Sequence, residues 1–223
     1  MLRYVFFDLD GTLVDHFRAI CRCLRWTLTQ MGREPLPEEH LRSLIGPPLR
    51  DTARAILGPE DDRTLEQFCE LYRKHMAETL EDGLVELPGA RWILKELGRQ
   101  GRSLALFTNK QRIFAERICR ILGLDRFLQA VVATDGTASC PRKPEAACSR
   151  LALGALSALP EESVLVGDSP IDLLAARAGN FARCCLVTTG THGREGLLAA
   201  GASAAEIFPD LPSLGASVFG LRA

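Results

Sequence analysis

The chain has no run of like charge, no C-x-x-C pair, no low-complexity tract, no internal repeat and no apolar stretch of membrane-spanning length. Each absence excludes a class of function. With 27 basic against 28 acidic residues and a formal net charge of -1, there is no electrostatic footprint for nucleic acid or an anionic membrane surface. Without about eighteen consecutive apolar residues, no membrane-crossing helix is expected. The opening residues show no charged leader, apolar h-region and cleavage site, so a cytoplasmic location is the expectation. The eight cysteines also lack a histidine at ligand spacing, which argues against zinc. They read as reduced, small apolar residues, with Cys21, Cys23 and Cys119 on helices and Cys184 and Cys185 on a strand.

What the chain does have is 223 residues, 47% of them hydrophobic, enough for one large α/β domain or a domain with a smaller insertion. The segment Val5-Phe6-Phe7-Asp8-Leu9-Asp10-Gly11-Thr12-Leu13 reads as a buried strand that delivers two carboxylates into a glycine turn. Open parallel sheets bind ligands beyond the carboxyl ends of their strands, and strand side chains alternate, so Asp8 and Asp10 are expected to project to one side. Gly11 allows a sharp turn and a close approach to a ligand.

Residues 16 to 82 contain no convincing strand. Phe17, Ile20, Leu24 and Leu28 make one helical stripe, Leu41, Leu44 and Ile45 another, and further helices are expected at Leu49 to Leu57 and Leu65 to Leu80. Gly46-Pro47-Pro48 and Gly58-Pro59 break them apart, so this region reads as a small helical bundle inserted after the first strand. From Leu87-Pro88-Gly89 onward, helices and strands alternate through expected strands at Ser103 to Phe107, Ala130 to Ala133, Ser163 to Val166 and Ala182 to Val187. The fold class is therefore α/β, a Rossmann-like parallel sheet formed by residues 1–15 and 83–223, with a helical cap formed by residues 16–82.

Three further segments carry polar groups at expected strand or helix ends. Thr108-Asn109-Lys110 follows a strand and is expected to open a helix, where N–H groups and a hydroxyl suit phosphate. Arg142-Lys143-Pro144-Glu145 is expected to open another, with Pro144 in its first turn. Val164-Leu165-Val166-Gly167-Asp168-Ser169-Pro170-Ile171-Asp172 is a strand ending in one acid with a second a helical turn later. Singly, these are helix caps, a surface turn and a solvated lysine. Together they place acids, a hydroxyl, an amide and an amine at successive strand ends. The Asp8 and Asp168 carboxylates with the Asp10 carbonyl make a hard-oxygen set that suits Mg²⁺, which tolerates waters and phosphate oxygens.

In this order the segments D-x-D-G-T, strand-end Thr, Lys and G-D-S-x-x-D resemble the haloacid dehalogenase superfamily of phosphohydrolases, and the helical insertion is similar to that family's α-helical cap. The resemblance spans nearly the whole chain. It implies that Asp8 is a nucleophile forming an aspartyl-phosphate and that Asp10 protonates the leaving group, then activates water. It also implies that Thr108 and Lys143 hold the phosphoryl group, with Gly11 and Asn109 at the substrate, Asp8, Asp10 and Asp168 at Mg²⁺, and Asp172 behind the metal. Members that act on carbon–halogen bonds or phosphonates replace the acid at Asp10, which leaves phosphoryl transfer.

The cap loop Ile45-Gly46-Pro47-Pro48-Leu49-Arg50 resembles the family's specificity loop, and Arg50 is the candidate for reading an anionic group at the substrate's far end. Sugar-phosphate mutases of the family usually carry Gly-x-Ser-Arg here, so Pro48-Leu49 favours hydrolysis over mutase chemistry. The combination looks most like phosphoglycolate phosphatases and related pyrophosphatases and nucleotidases. A phosphomutase, which would retain the phosphoryl group by excluding water, and a non-catalytic binding protein on this fold are the remaining alternatives, although Asp8, Asp10, Lys143 and Asp168 are all retained. His16 departs from the small hydroxyl residue usual after Asp15. The expected partner is a small phosphorylated metabolite, without nucleic acid or membrane, acted on by a monomer or homodimer.

Overall fold

A computed structural model describes residues 1–135, 137 and 139–222. Six parallel strands form the main sheet in the order β5-β4-β1-β6-β7-β8. The strands are β1 (Tyr4–Phe7), β4 (Ser103–Gln111), β5 (Ala130–Thr134), β6 (Ser163–Gly167), β7 (Arg183–Val187) and β8 (Ile207–Phe208). β1 lies between β4 and β6, with Phe7 paired to both Leu106 and Val166. A central strand covered on both faces needs apolar side chains on both, which is why it reads as a continuous run. Val5 and Phe7 enter one core with Leu104, Leu106, Val164 and Val166, whereas Phe6 enters the other with Ala105, Phe107 and Leu165.

Helices α5 (Ala90–Arg99), α6 (Arg112–Ile121), α7 (Ala146–Ala155), α8 (Pro170–Ala178), α9 (Arg194–Ala199) and α10 (Leu211–Phe219) complete the α/β core. Four helices, α1 (Phe17–Gln30), α2 (Glu38–Ser43), α3 (Leu49–Leu57) and α4 (Asp62–Thr79), form the insertion after the first strand. Its two connections run side by side as an antiparallel ribbon, β2 (Val14–Asp15) against β3 (Val85–Glu86). The insertion forms because α1 buries Ile20, Leu24 and Leu28, while α4 buries Leu65, Phe68, Cys69 and Met76 at helical spacing.

Two local expectations are corrected. β4 continues through Thr108-Asn109-Lys110 to Gln111 with an irregularity in its pairing with β5, so these residues end a strand and do not open a helix. α7 begins only at Ala146, which leaves Pro144 in the loop ahead of it. The eight cysteines are free thiols, and all but Cys140 are buried. Burial pushes the Cys23 and Cys119 thiols up to about 12, so these are packing residues without thiolate character.

Candidate active site

Asp8 follows β1 directly, with its N–H held by the Val166 carbonyl of β6 at 2.8 Å. Parallel pairing of β1 with β6 brings Asp8 next to Asp168, one residue past the end of β6. The chain then turns at Gly11, whose φ of +84° is a left-handed conformation that other residues adopt only with strain. Space matters here too. A Cβ on Gly11 would lie 2.5 Å from Asp168 Oδ2, and one on Gly190, in the loop after β7, only 1.7 Å from the same atom. Thr189 donates to the Gly11 carbonyl at 2.7 Å and locks these loops together around the carboxylate.

Lys143 is 2% exposed, and its Nζ sits 2.6 Å from Asp172 Oδ1 and 3.0 Å from Asp8 Oδ1. Burial works against its charge, but Asp172 and Asp8 outweigh burial and hold its pKa above the usual lysine value. The other oxygen of Asp172 accepts hydrogen bonds from the Asp168 N–H, the Ser169 N–H and the Ser169 hydroxyl. Asp172 is thus occupied by the start of α8 and by Lys143, which suits a supporting position better than direct metal ligation. For Asp8, burial is the largest influence and Asp172 adds to it; against the pull of Lys143 they push its pKa up to about 6. Burial, Asp172 and Asp8 together raise Asp168 well above the usual carboxylate range.

Oxygens of Asp8, Asp168 and Asp172 lie within 4.8 Å of one another. Asp8 Oδ1 is buried and, among the described residues, has no well-directed hydrogen-bond donor beyond its ion pair with Lys143. Three crowded carboxylates against one ammonium leave uncompensated negative charge in a buried place, so a hard dication fits this donor set.

Asp10, expected to share a side with Asp8, lines the same chamber, and so do Thr108 and Asn109. The Asn109 amide is engaged with backbone: its Oδ1 accepts from the Lys143 N–H at 2.8 Å, and its Nδ2 donates to the carbonyls of Lys143 at 3.1 Å and Gly46 at 3.2 Å. It therefore fixes the Lys143 loop and ties the core to the cap loop, in place of the direct substrate contact expected for it. Arg50 is not brought to the chamber. Its guanidinium is 2.6 Å from Asp62 and 3.0 Å from Glu66, both at the start of α4, and lines a neighbouring groove with Gln111 and Arg112 of the core. The expectation that it reads the far end of the substrate gains no support from this arrangement.

A cation that was not singled out takes a place at the centre. Lys110 Nζ grips Asp10 at 2.8 and 3.1 Å and reaches His16 Nδ1 at 3.4 Å. His16 is completely buried, and its Nε2 meets the Leu80 carbonyl at 2.8 Å. A carbonyl can only accept, so Nε2 carries the proton and Nδ1 is the acceptor for Lys110. Burial first, then Lys110, lowers the His16 pKa to about 4. The unusual His16 was the only sequence signal for this arrangement.

The cap wall of the chamber is apolar, formed by Phe17, Ile20, Leu24, Ile45, Leu49 and Met76, with Tyr72 and Thr52 among them.

The family described as haloacid dehalogenase-like hydrolase matches residues 5–186. A phosphoglycolate phosphatase of Cupriavidus necator is 35% identical over 205 residues, covering 90% of this chain and 87% of that protein. The pyrophosphatase PpaX of Halalkalibacterium halodurans is 33% identical over 174 residues, 78% of each chain. The crystal structure of a predicted phosphatase from Clostridium acetobutylicum superposes with a TM-score of 0.88 at 25% identity, covering 99% of this chain and 100% of that one.

Proposed function

Because the chain belongs to the haloacid dehalogenase-like hydrolases and is a phosphatase of that family, we propose that it hydrolyses a small phosphate monoester with Mg²⁺ through an aspartyl-phosphate on Asp8. The observation that carries this reading is Lys143 Nζ held between Asp8 and Asp172, with Asp168 alongside and Asp10 in the same chamber.

Asp8 and Asp168, with the Asp10 carbonyl, would hold the metal. When bound, it supplies positive charge between the Asp8 carboxylate and the incoming phosphate dianion. Lys143 and the Thr108 hydroxyl orient the phosphoryl oxygens. An Asp8 carboxylate oxygen forms a bond to phosphorus as the bond to the leaving oxygen breaks, and Asp10, protonated for this step, gives its proton to that oxygen. Asp10 then takes a proton from water, whose oxygen attacks the phosphorus of the aspartyl-phosphate. Inorganic phosphate leaves and the Asp8 carboxylate is restored. Lys110 and His16 hold Asp10 in position for both transfers.

The names of the relatives make phosphoglycolate and pyrophosphate the reference substrates in a panel that also includes nucleoside monophosphates and hexose phosphates. With Mg²⁺ at millimolar level, at least one phosphate ester is expected to turn over, and Asp8→Asn to abolish turnover. Asp10→Asn is expected to bind phosphate normally but lose about 10²- to 10⁴-fold in kcat, the usual contribution of a general acid-base group. Absence of turnover across the panel by folded protein, or a wild-type kcat for Asp10→Asn, overturns this assignment.

A further inference from the structure

We propose that the cap selects phosphate monoesters of small uncharged alcohols with apolar carbon skeletons and rejects anionic leaving groups; this rests on the phosphatase reading and names its substrate class.

The first support is the chemistry of the wall that faces the leaving group. The cap contributes hydrocarbon from α1, α3, α4 and the Ile45-Gly46-Pro47 loop. Its neutral polar groups are Thr52, whose hydroxyl donates to the Leu44 carbonyl at 3.2 Å, and Tyr72. Among the described residues that line the chamber, the cap provides no charged side chain.

The second support is the distribution of cations. Among the described lining residues Lys110 is the one cation, and both oxygens of Asp10 hold it. Lys143 lies behind Asp8, paired with two carboxylates. Arg50, at the start of α3, does not line the chamber and is paired with Asp62 and Glu66. A carboxylate or second phosphate on the leaving group would therefore either pull Lys110 off Asp10, disturbing the acid-base group, or lie unpaired against carbon. Both outcomes disfavour the charged substrate, whereas an uncharged skeleton gains by leaving water for the apolar wall. Selectivity here comes from penalising the wrong ligand as much as from contacts to the right one.

The test compares kcat/KM with Mg²⁺ for phosphoglycolate and its amide, carbamoylmethyl phosphate, which match in shape and differ in the charge of the tail. Benzyl phosphate supplies an apolar leaving group and pyrophosphate a second anionic one. The amide is expected to exceed phosphoglycolate by about tenfold or more, the least that an unpaired buried charge costs, with benzyl phosphate at or above the amide. Met76→Lys, which adds an ammonium to the wall, is expected to narrow the ratio, with its thermal melt confirming that it folds. Wild-type enzyme carries the test even if that variant does not fold. Phosphoglycolate equal to or better than its amide, or pyrophosphate hydrolysed ahead of either, overturns the proposal and leaves the phosphatase reading intact. No turnover of any of these compounds overturns the proposal, and the phosphatase reading falls with it only when the nucleoside monophosphates and hexose phosphates of the wider panel also fail.

Discussion

Replacing Lys143 by Met keeps an unbranched apolar stem one atom shorter and deletes the charge, and the structure specifies what remains. Asp8 Oδ1 and Asp172 Oδ1, now 3.0 and 2.6 Å from the ammonium, would lose their shared counter-charge, with Asp168 close by. Removing one partner of a buried ion pair costs about 3 to 5 kcal/mol, because the remaining charge is buried and unpaired. In a domain of this size each kcal/mol lowers Tm by about 2 to 4 °C, so a fall of roughly 6 to 20 °C is expected at pH 8 in EDTA. The loss must depend on pH. Asp8 already has a folded pKa of about 6, and removing Lys143 drives it higher. A carboxyl raised above its unfolded value binds a proton in the folded state that the unfolded chain has released, so its stabilising contribution is present at low pH and disappears as pH rises through the folded pKa. The deficit of Lys143→Met is therefore expected to be smaller at pH 5, where Asp8 is protonated and Asp172 alone is stranded, and full at pH 8. Adding Asp172→Asn removes one of the stranded charges, and the double variant should be less unstable than the sum of the singles by about 0.5 to 3 kcal/mol. Thermal melts of the four proteins at both pH values measure all of this. Equal losses at pH 5 and pH 8, together with additive single effects, would falsify the reading of Lys143 as the counter-charge of this cluster.

Gly190→Ala places a methyl group 1.7 Å from Asp168 Oδ2 and must displace that carboxylate. The Mg²⁺ concentration for half-maximal activity is expected to rise about 10- to 100-fold, as for other disturbed metal supports, with a stability loss of about 1 to 3 kcal/mol. An unchanged Mg²⁺ requirement would remove Asp168 from the metal site. His16, with its folded pKa lowered to about 4, takes up a proton in the unfolded chain before it does so when folded. Its contribution is complete above about pH 6.5 and falls as the medium is acidified, by about 2 kcal/mol at pH 5. His16→Gln, which can still donate to Leu80 but does not titrate, should show a flatter acid limb in urea unfolding between pH 7.5 and 5. Parallel curves for the two proteins would contradict the buried neutral imidazole.

Residues that were legible from sequence share a local cause. Asp8, Asp10 and Gly11 follow an apolar run whose burial on both sides marks a central strand, and Asp168 and Asp172 share a strand end and the first turn of α8. Strand period, turn chemistry and helix-start preferences act over a few residues, so spacing alone carries them. The same holds for the cap helices, whose stripes repeat over several turns. The two-residue strands β2 and β3 are too short to show a period, and only their pairing across the base of the cap defines them.

The destinations of the cations were decided by tertiary packing. Lys110 and Asp10 are 100 positions apart, and His16 meets Leu80 across 64. The irregular end of β4 and the seating of the cap bring these groups together. Arg50 opens α3 directly after the loop that lines the chamber, yet the first turns of α4 present Asp62 and Glu66 nearby, and its flexible side chain turns to them. Position along the chain sets where a Cα lies. A long charged side chain is then oriented by whichever opposite charge is near, and that is fixed only when the elements have packed.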